Sequence, residues 1–217
     1  TRMTRVIFAA LALFLALAII LTPLLVFWPS SDEIVVEEGS WAMPGGGPAH
    51  LSYLPFAPKM SLRERWSTRL EGELAGPPAV ASQRVYASCS NGYLYSLDLE
   101  SGRPVWRYDA ASGIASMPAV SGQGVFFGTM GGKVCCVSPE GGLKWATEVG
   151  GAVVSTPIPD GDRVYFGSED RSVYCLHVGD GSIIWSFEAE GPVEISPCLY
   201  EGQVFCASYE GELFALD

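Results

Sequence analysis

An all-β chain organised as a β-propeller is the fold class that three observations predict. Trp66, Trp106, Trp145 and Trp185 recur at intervals of about forty residues. Pro78, Pro118, Pro157 and Pro197 keep the same phase. Short β-branched and aromatic runs fill each interval and are separated by Gly-containing turns, which is the pattern of several strands per unit. A single unit of this kind cannot cover both of its faces, so its stability has to come from its neighbours.

Each unit can be read strand by strand. The prolines mark a short first strand, because proline is confined to edges and strand starts. Pro78–Ala79–Val80, Pro118–Ala119–Val120, Pro157–Ile158 and Pro197–Cys198–Leu199 are therefore assigned to the innermost strand, beside the axis. The second strands begin at Arg84–Val85–Tyr86, Gly124–Val125–Phe126, Arg163–Val164–Tyr165 and Gln203–Val204–Phe205, with the composition of central strands. Turns follow at Asn91–Gly92, Gly131–Gly132, Asp170–Arg171 and Glu210–Gly211. Asn-Gly and Gly-Gly favour hairpins because they tolerate positive φ, so Arg171 predicts a different turn in its unit.

Third strands run over Tyr93–Leu97, Lys133–Val137, Ser172–Leu176 and Glu212–Leu216, and an outer strand then carries the tryptophan. The aromatic ring at that recurring position can wedge between sheets. The repeats open on an outer strand, Arg65–Trp66–Ser67–Thr68–Arg69, and stop after a third strand, so the first strand is in phase to close the last blade. Four repeats are present. A closed four-bladed ring and the first part of a longer ring both fit that phase, and the longer ring is the expectation.

Composition narrows the function. Of 217 residues 48% are apolar and only 17% charged, with 25 glycines, which suits a turn-rich all-β protein with a sizeable core. The formal net charge is −11, and no basic stripe breaks it, so nucleic acid is not expected as a partner.

Residues 6–28 form an uncharged apolar run, long enough for a spanning helix of about 20 residues. Arg2 and Arg5 precede it and Asp32, Glu33, Glu37 and Glu38 follow it. The positive-inside rule then leaves residues 1–5 in the cytoplasm and exports the rest. Trp28 sits where an interfacial aromatic belongs, and Pro23 is expected to kink the helix. The competing reading is a cleaved secretory signal, whose apolar core is usually about 7–15 residues; both readings export the chain. No Cys follows the run closely enough to carry a lipid. Residues 29–62, rich in Pro and Gly and without period, read as a linker, and 63–217 as the repeats. Since Thr1 opens the chain and Asp217 ends it within the repeated phrase, a fragment is expected.

The repeat register resembles the PQQ-like (pyrroloquinoline quinone-like) propeller repeat: Ser-Pro-x-Val, x-Val-Tyr-x-Gly-Ser, Gly-x-Leu-Tyr-Ala-Leu-Asp, then Gly-x-x-x-Trp. Residues 96–106 also match its tryptophan-docking form, with Ser96 where Ala is usual. The resemblance implies blades of four strands in rings of seven or eight. It implies structural docking roles for Trp66, Trp106, Trp145, Trp185, Gly102, Gly141, Gly181 and Asp98. Upstream, Trp41–Ala42–Met43–Pro44–Gly45–Gly46–Gly47–Pro48–Ala49–His50 is similar to the Trp-x-Met-x-Gly-x-Asp-x-x-His opening of envelope members, with Gly47 replacing Asp. His50 has no partner at ligand spacing and reads as a solvated loop residue.

Quinoprotein dehydrogenases share this repeat and carry adjacent cysteines against the quinone, which draws attention to Cys135–Cys136. Here both fall inside a strand, where neighbours point to opposite faces. Adjacent Cα atoms lie about 3.8 Å apart, below the usual disulfide range. The pair, like Cys89, Cys175, Cys198 and Cys206, therefore reads as core thiols, and no bridge is assigned. Asp160 with Asp162, and Glu169 with Asp170, sit at turns and read as solvated carboxylates rather than calcium ligands. Asn91 is the only Asn in the chain, which leaves an amide calcium ligand hard to supply. No catalytic residue, metal ligand or cofactor-binding residue is assigned.

The resulting expectation is a non-catalytic scaffold or protein-binding module of the cell envelope, periplasmic or extracellular. Residues 6–28 would tether it to the inner membrane in a single pass, and it would meet envelope proteins through its loops or strand edges. The resemblance points to the branch that includes outer-membrane assembly lipoproteins. The alternative is a membrane-tethered quinoprotein dehydrogenase, using PQQ and calcium, whose catalytic residues lie outside this sequence. Fold alone does not choose between them.

Overall fold

Fifteen strands make four antiparallel sheets in the computed structural model, which describes residues 63–217. The apolar run 6–28 and the linker 29–62, with His50, lie outside the described residues. Among the described residues no helix is long and apolar enough to cross a membrane.

The first sheet comprises β1 (Ala79–Ala81), β2 (Arg84–Ser88), β3 (Tyr93–Asp98) and β4 (Pro104–Asp109). The second has β5 (Ala119–Ser121), β6 (Gly124–Gly128), β7 (Lys133–Val137) and β8 (Leu143–Glu148). The third has β9 (Ile158–Asp160), β10 (Arg163–Gly167), β11 (Ser172–His177) and β12 (Ile183–Glu188). The fourth has three strands, β13 (Cys198–Tyr200), β14 (Gln203–Ala207) and β15 (Leu213–Leu216). In every sheet the strands pair in sequence order. Each of the four prolines directly precedes its first strand, where its missing N–H costs no ladder bond. β5 lies beside both β1 and β9, so the proline-led strands form the inner edge of the array.

The core lies between sheets. Phe126 and Phe127 are adjacent in β6 and fully buried on opposite faces. Phe126 joins Trp145, Val164, Phe166 and Leu176 between the second and third sheets, while Phe127 joins Tyr86, Leu94 and Ile114 between the first and second. Cys135 and Cys136 divide in the same way. Tyr165, Val173 and Cys175 meet Val204 and Cys206 between the third and fourth. Central strands buried on both faces account for the near-continuous apolar runs read in the sequence.

Two sequence expectations are corrected here. Among the described residues, 63–70 belong to no sheet, so 65–69 is not a formed outer strand and the fourth sheet comprises β13–β15. The segment nevertheless alternates: Trp66, Thr68 and Leu70 are half-buried on the first sheet and Arg65, Ser67 and Arg69 are exposed. Its side chains have a surface to lie on, but among the described residues its backbone has no neighbouring strand.

The turn at Arg171 does not differ from its counterparts. Arg171 takes φ +71°, beside +95° at Gly92, +74° at Gly132 and +86° at Gly211. All four turns carry the same bond, from the N–H of Gly92, Gly132, Arg171 or Gly211 to the carbonyl of Cys89, Thr129, Ser168 or Ser208. The same turn hydrogen bond is thus made with an arginine in the left-handed conformation.

Strain is greater in the β1–β2 hairpin, where Ser82 and Gln83 both have positive φ, +49° and +61°. Two consecutive left-handed residues define a type I′ turn, for which Asn-Gly is preferred. The double substitution Ser82→Asn, Gln83→Gly is expected to raise unfolding stability by about 1 kcal/mol, read from the urea midpoint at unchanged slope.

Candidate functional site

The repeated phrase between third and outer strands builds the most regular site in the molecule. A bulge interrupts the β3–β4, β7–β8 and β11–β12 ladders just before the tryptophan, so that Ser96 pairs Trp106 while Leu97 pairs Pro104. The extra residue, Val105 in the first sheet, re-aims the ring toward the next unit. Trp106 Nε1 donates to the carbonyl of Pro139 at 2.8 Å, and Trp145 Nε1 to that of Val178 at 2.9 Å. Trp66 makes the same bond to Leu99 at 2.9 Å, although its own segment has no sheet.

The accepting turn is shaped for the ring by a glycine. A Cβ built at Gly102 would stand 2.3 Å from Trp66, one at Gly141 2.8 Å from Trp106, and one at Gly181 2.6 Å from Trp145. All three glycines also have positive φ. Asp98 secures the first of these turns. Its carboxylate accepts from the Oγ and N–H of Ser101, and these bonds, the hydroxyl foremost, hold its pKa below the ordinary value. In the third sheet Asp180 takes over, accepting from the N–H and Oγ of Ser182, with His177 alongside at 3.1 Å. Its pKa falls from 3.8 to about 2, led by the Ser182 N–H. A depressed carboxylate stabilises the fold at neutral pH, and that contribution is lost as the pH falls from 3.8 through about 2.

Sequence reasoning missed the threonine two residues beyond the tryptophan. Thr68 Oγ1 donates to the Gly102 carbonyl and Thr147 Oγ1 to that of Gly181, each at 2.6 Å. Its signal was recurrence in only two repeats, since Tyr108 and Phe187 hold the other places. Asp170 is a further correction. It is not a solvated turn carboxylate: it accepts from the N–H of Gly150 and of Ser172 and from the Tyr174 hydroxyl, joining one unit's turn to the preceding loop.

The cysteines are thiols among the described residues. Burial pushes Cys135 up to about 11 and Cys136 up to about 12, away from the thiolate that redox chemistry needs. Asp160 and Asp162 line a cleft of about 500 Å³ with Arg163, Tyr165, Tyr200 and Glu201, between the inner hairpins of the third and fourth sheets. No group of three or more His, Cys, Asp or Glu side chains among the described residues is gathered as a metal site. Trp185, the fourth of the recurring tryptophans, packs on Tyr165 and borders a cleft of about 360 Å³ with Phe187, Ala215, Leu216 and Asp217.

The arrangement therefore offers docking surfaces built from repeated turns. A family model described as outer membrane protein assembly factor BamB matches residues 60–156 and again 145–217. The chain belongs to this family of PQQ-like propeller repeats. Similar to it is the outer membrane protein assembly factor BamB of Bordetella pertussis, 27% identical over 177 residues that make up 78% of this chain and 45% of that protein. The crystal structure of BamB from Moraxella catarrhalis superposes with a TM-score of 0.64 at 21% identity, over 70% of this chain and 52% of that one. A quinohemoprotein alcohol dehydrogenase from Pseudomonas putida HK5 reaches a TM-score of 0.68 at 16% identity, over 77% and 34% of the two chains. At such identities the structural likenesses establish the propeller fold alone. The chain spans about half the length of these BamB relatives.

Proposed function

We propose that this protein is a non-catalytic scaffold of the cell envelope that takes part in outer-membrane protein assembly. The match of its repeats to the BamB family model carries this reading. The docked turns support it physically, because the conspicuous residues of the repeat are used in joining blade to blade. In this reading residues 6–28 hold the protein in the inner membrane as a single span, and residues 29–62 tether the repeats outside the cytoplasm. The repeats form part of a larger ring. Their loops and strand edges meet envelope proteins.

Deleting the gene in its own host and measuring folded β-barrel proteins in the outer-membrane fraction tests the role. Reduced levels, restored by the full chain, are the expected result. Unchanged levels, together with calcium-dependent PQQ binding and dye-linked alcohol oxidation by the purified full chain, would overturn it. Alkaline extraction of membranes tests the anchor: the full chain is expected to stay with the membrane, and a variant lacking residues 6–28 to be released.

A further inference from the structure

The sheets have two kinds of edge. The inner edge strands β1, β5, β9 and β13 have three residues each, too few to template a partner strand. The outer edge strands β4, β8 and β12 have six. Their bonding directions can be assigned. The Ala189 N–H donates to the Arg171 carbonyl, and bonds in an antiparallel ladder alternate, so Trp185 and Phe187 bond inward to β11. The backbone groups of Ser186 and Glu188 then point away from the sheet, and among the described residues no backbone group bonds them. By the same alternation Arg107 and Asp109 point outward in β4, and Ala146 and Glu148 in β8.

Proline and cationic side chains are what keep natural edges from pairing. β4 starts at Pro104 and has Arg107 in the middle of its open edge, the guanidinium 4.5 Å from the Tyr93 ring centre and ion-paired with Glu71. β8 carries Lys144, whose Nζ donates to the Gln123 carbonyl. β12, Ile183–Glu188, has neither proline nor cation. Ser186 stands at the place of Arg107, and Ile183, Ile184 and Phe187 are 50%, 46% and 37% exposed. β12 belongs to a complete four-stranded sheet that packs against the second sheet on one face and the fourth on the other, so its open edge belongs to the rim.

We infer that β12 is a strand-addition site, whose outer edge takes an extended segment of a partner polypeptide as a fifth strand. The segment has apolar residues at alternate positions and a Lys or Arg facing Glu188. The outward backbone groups of Ser186 and Glu188 supply the ladder bonds, and Ile183 and Ile184 supply apolar contact. Charge selects the occupant. Asp180, Glu188 and Glu190 lie in or beside the strand and are all exposed, and against them stand Arg171, ion-paired with Glu188 at 2.8 Å, and His177 beside Asp180. A second copy would bring the same acidic residues to this edge, whereas a basic segment is attracted to it. The proposal deepens the scaffold reading and rests on it only in taking the partner to be an envelope protein.

A fluorescent synthetic peptide of alternating valine and threonine with one lysine, titrated into the purified full chain in detergent, tests the edge. Saturable binding is expected. Ser186→Pro, which removes one outward N–H and no ladder bond to β11, should weaken it about tenfold. Ser186→Arg, which copies the protection of β4, should weaken it as well and serves where the proline variant fails to fold. The same peptide N-methylated at alternate residues is expected not to bind, because its side chains are unchanged and its backbone donors are blocked. Replacing its lysine by glutamate should cost up to about fivefold. Binding that neither substitution nor N-methylation alters would overturn the proposal in favour of side-chain capture elsewhere. Absence of binding to the folded chain would overturn it, and so would a dimer of the chain that Ser186→Pro dissociates, which gives the edge to a second copy. A failed titration leaves the gene-deletion result standing, and a null deletion leaves the titration standing, so the two readings fail separately.

Discussion

Trp145→Ala is expected to destabilise the repeats by about 3–5 kcal/mol, the range for removing a large aromatic side chain from a core. Trp145 is 7% exposed, packs on Phe126 at a centroid distance of 5.9 Å and belongs to the cluster between the second and third sheets. Its indole N–H is the donor to Val178, so the substitution also leaves a buried carbonyl without that partner. Because sheets in such an array are held by their neighbours, the loss falls on the contact between two units rather than on one. Trp66→Ala should cost less, since Trp66 is only half-buried and its segment belongs to no sheet. Urea unfolding of both variants checks the order. Equal losses, or a loss below about 1 kcal/mol at Trp145, would show that the ring is not the wedge between these sheets.

Much of this architecture was legible from residue spacing. The tryptophan and proline phases fix the length of a unit, and alternation within Lys133–Val137 is enough to send Cys135 and Cys136 to opposite faces, where the structure has them. What escaped the sequence depends on the geometry of single turns and on contacts between units. Arg171 is left-handed because its turn makes the same bond as three glycine turns, although nothing in its side chain favours that conformation. Asp170 looks like an ordinary turn residue until Gly150, twenty positions earlier, is seen to donate to it. Residues 65–69 have the outer-strand pattern, but a pattern specifies a face and not a partner, and their backbone pairs with no strand among the described residues. Thr147 reads as a β-branched strand residue, and its bond to Gly181 becomes visible only when consecutive units are brought together.

The docking geometry can be tested from the glycine side with a second large effect. Gly181→Ala is expected to cost about 2–4 kcal/mol, from two sources that can be separated. The first is conformational: Gly181 has φ +74°, and an L side chain in that region costs about 1–2 kcal/mol. The second is steric, because the new methyl would stand 2.6 Å from the Trp145 ring and 2.7 Å from Thr147 Oγ1. Gly211 isolates the first source, having φ +86° and no atom within 4 Å of a built Cβ, so Gly211→Ala should show only the conformational loss. Combining Gly181→Ala with Trp145→Ala removes the ring that the methyl meets. The double variant is then expected to be more stable than the sum of the two losses predicts, by roughly 1–2 kcal/mol. Strict additivity, with Gly181→Ala no worse than Gly211→Ala, would mean that the glycine serves its own turn and leaves no space for the tryptophan. Coupling of the expected size would make ring and glycine one joint, supplied by consecutive repeats and repeated wherever a blade meets the next.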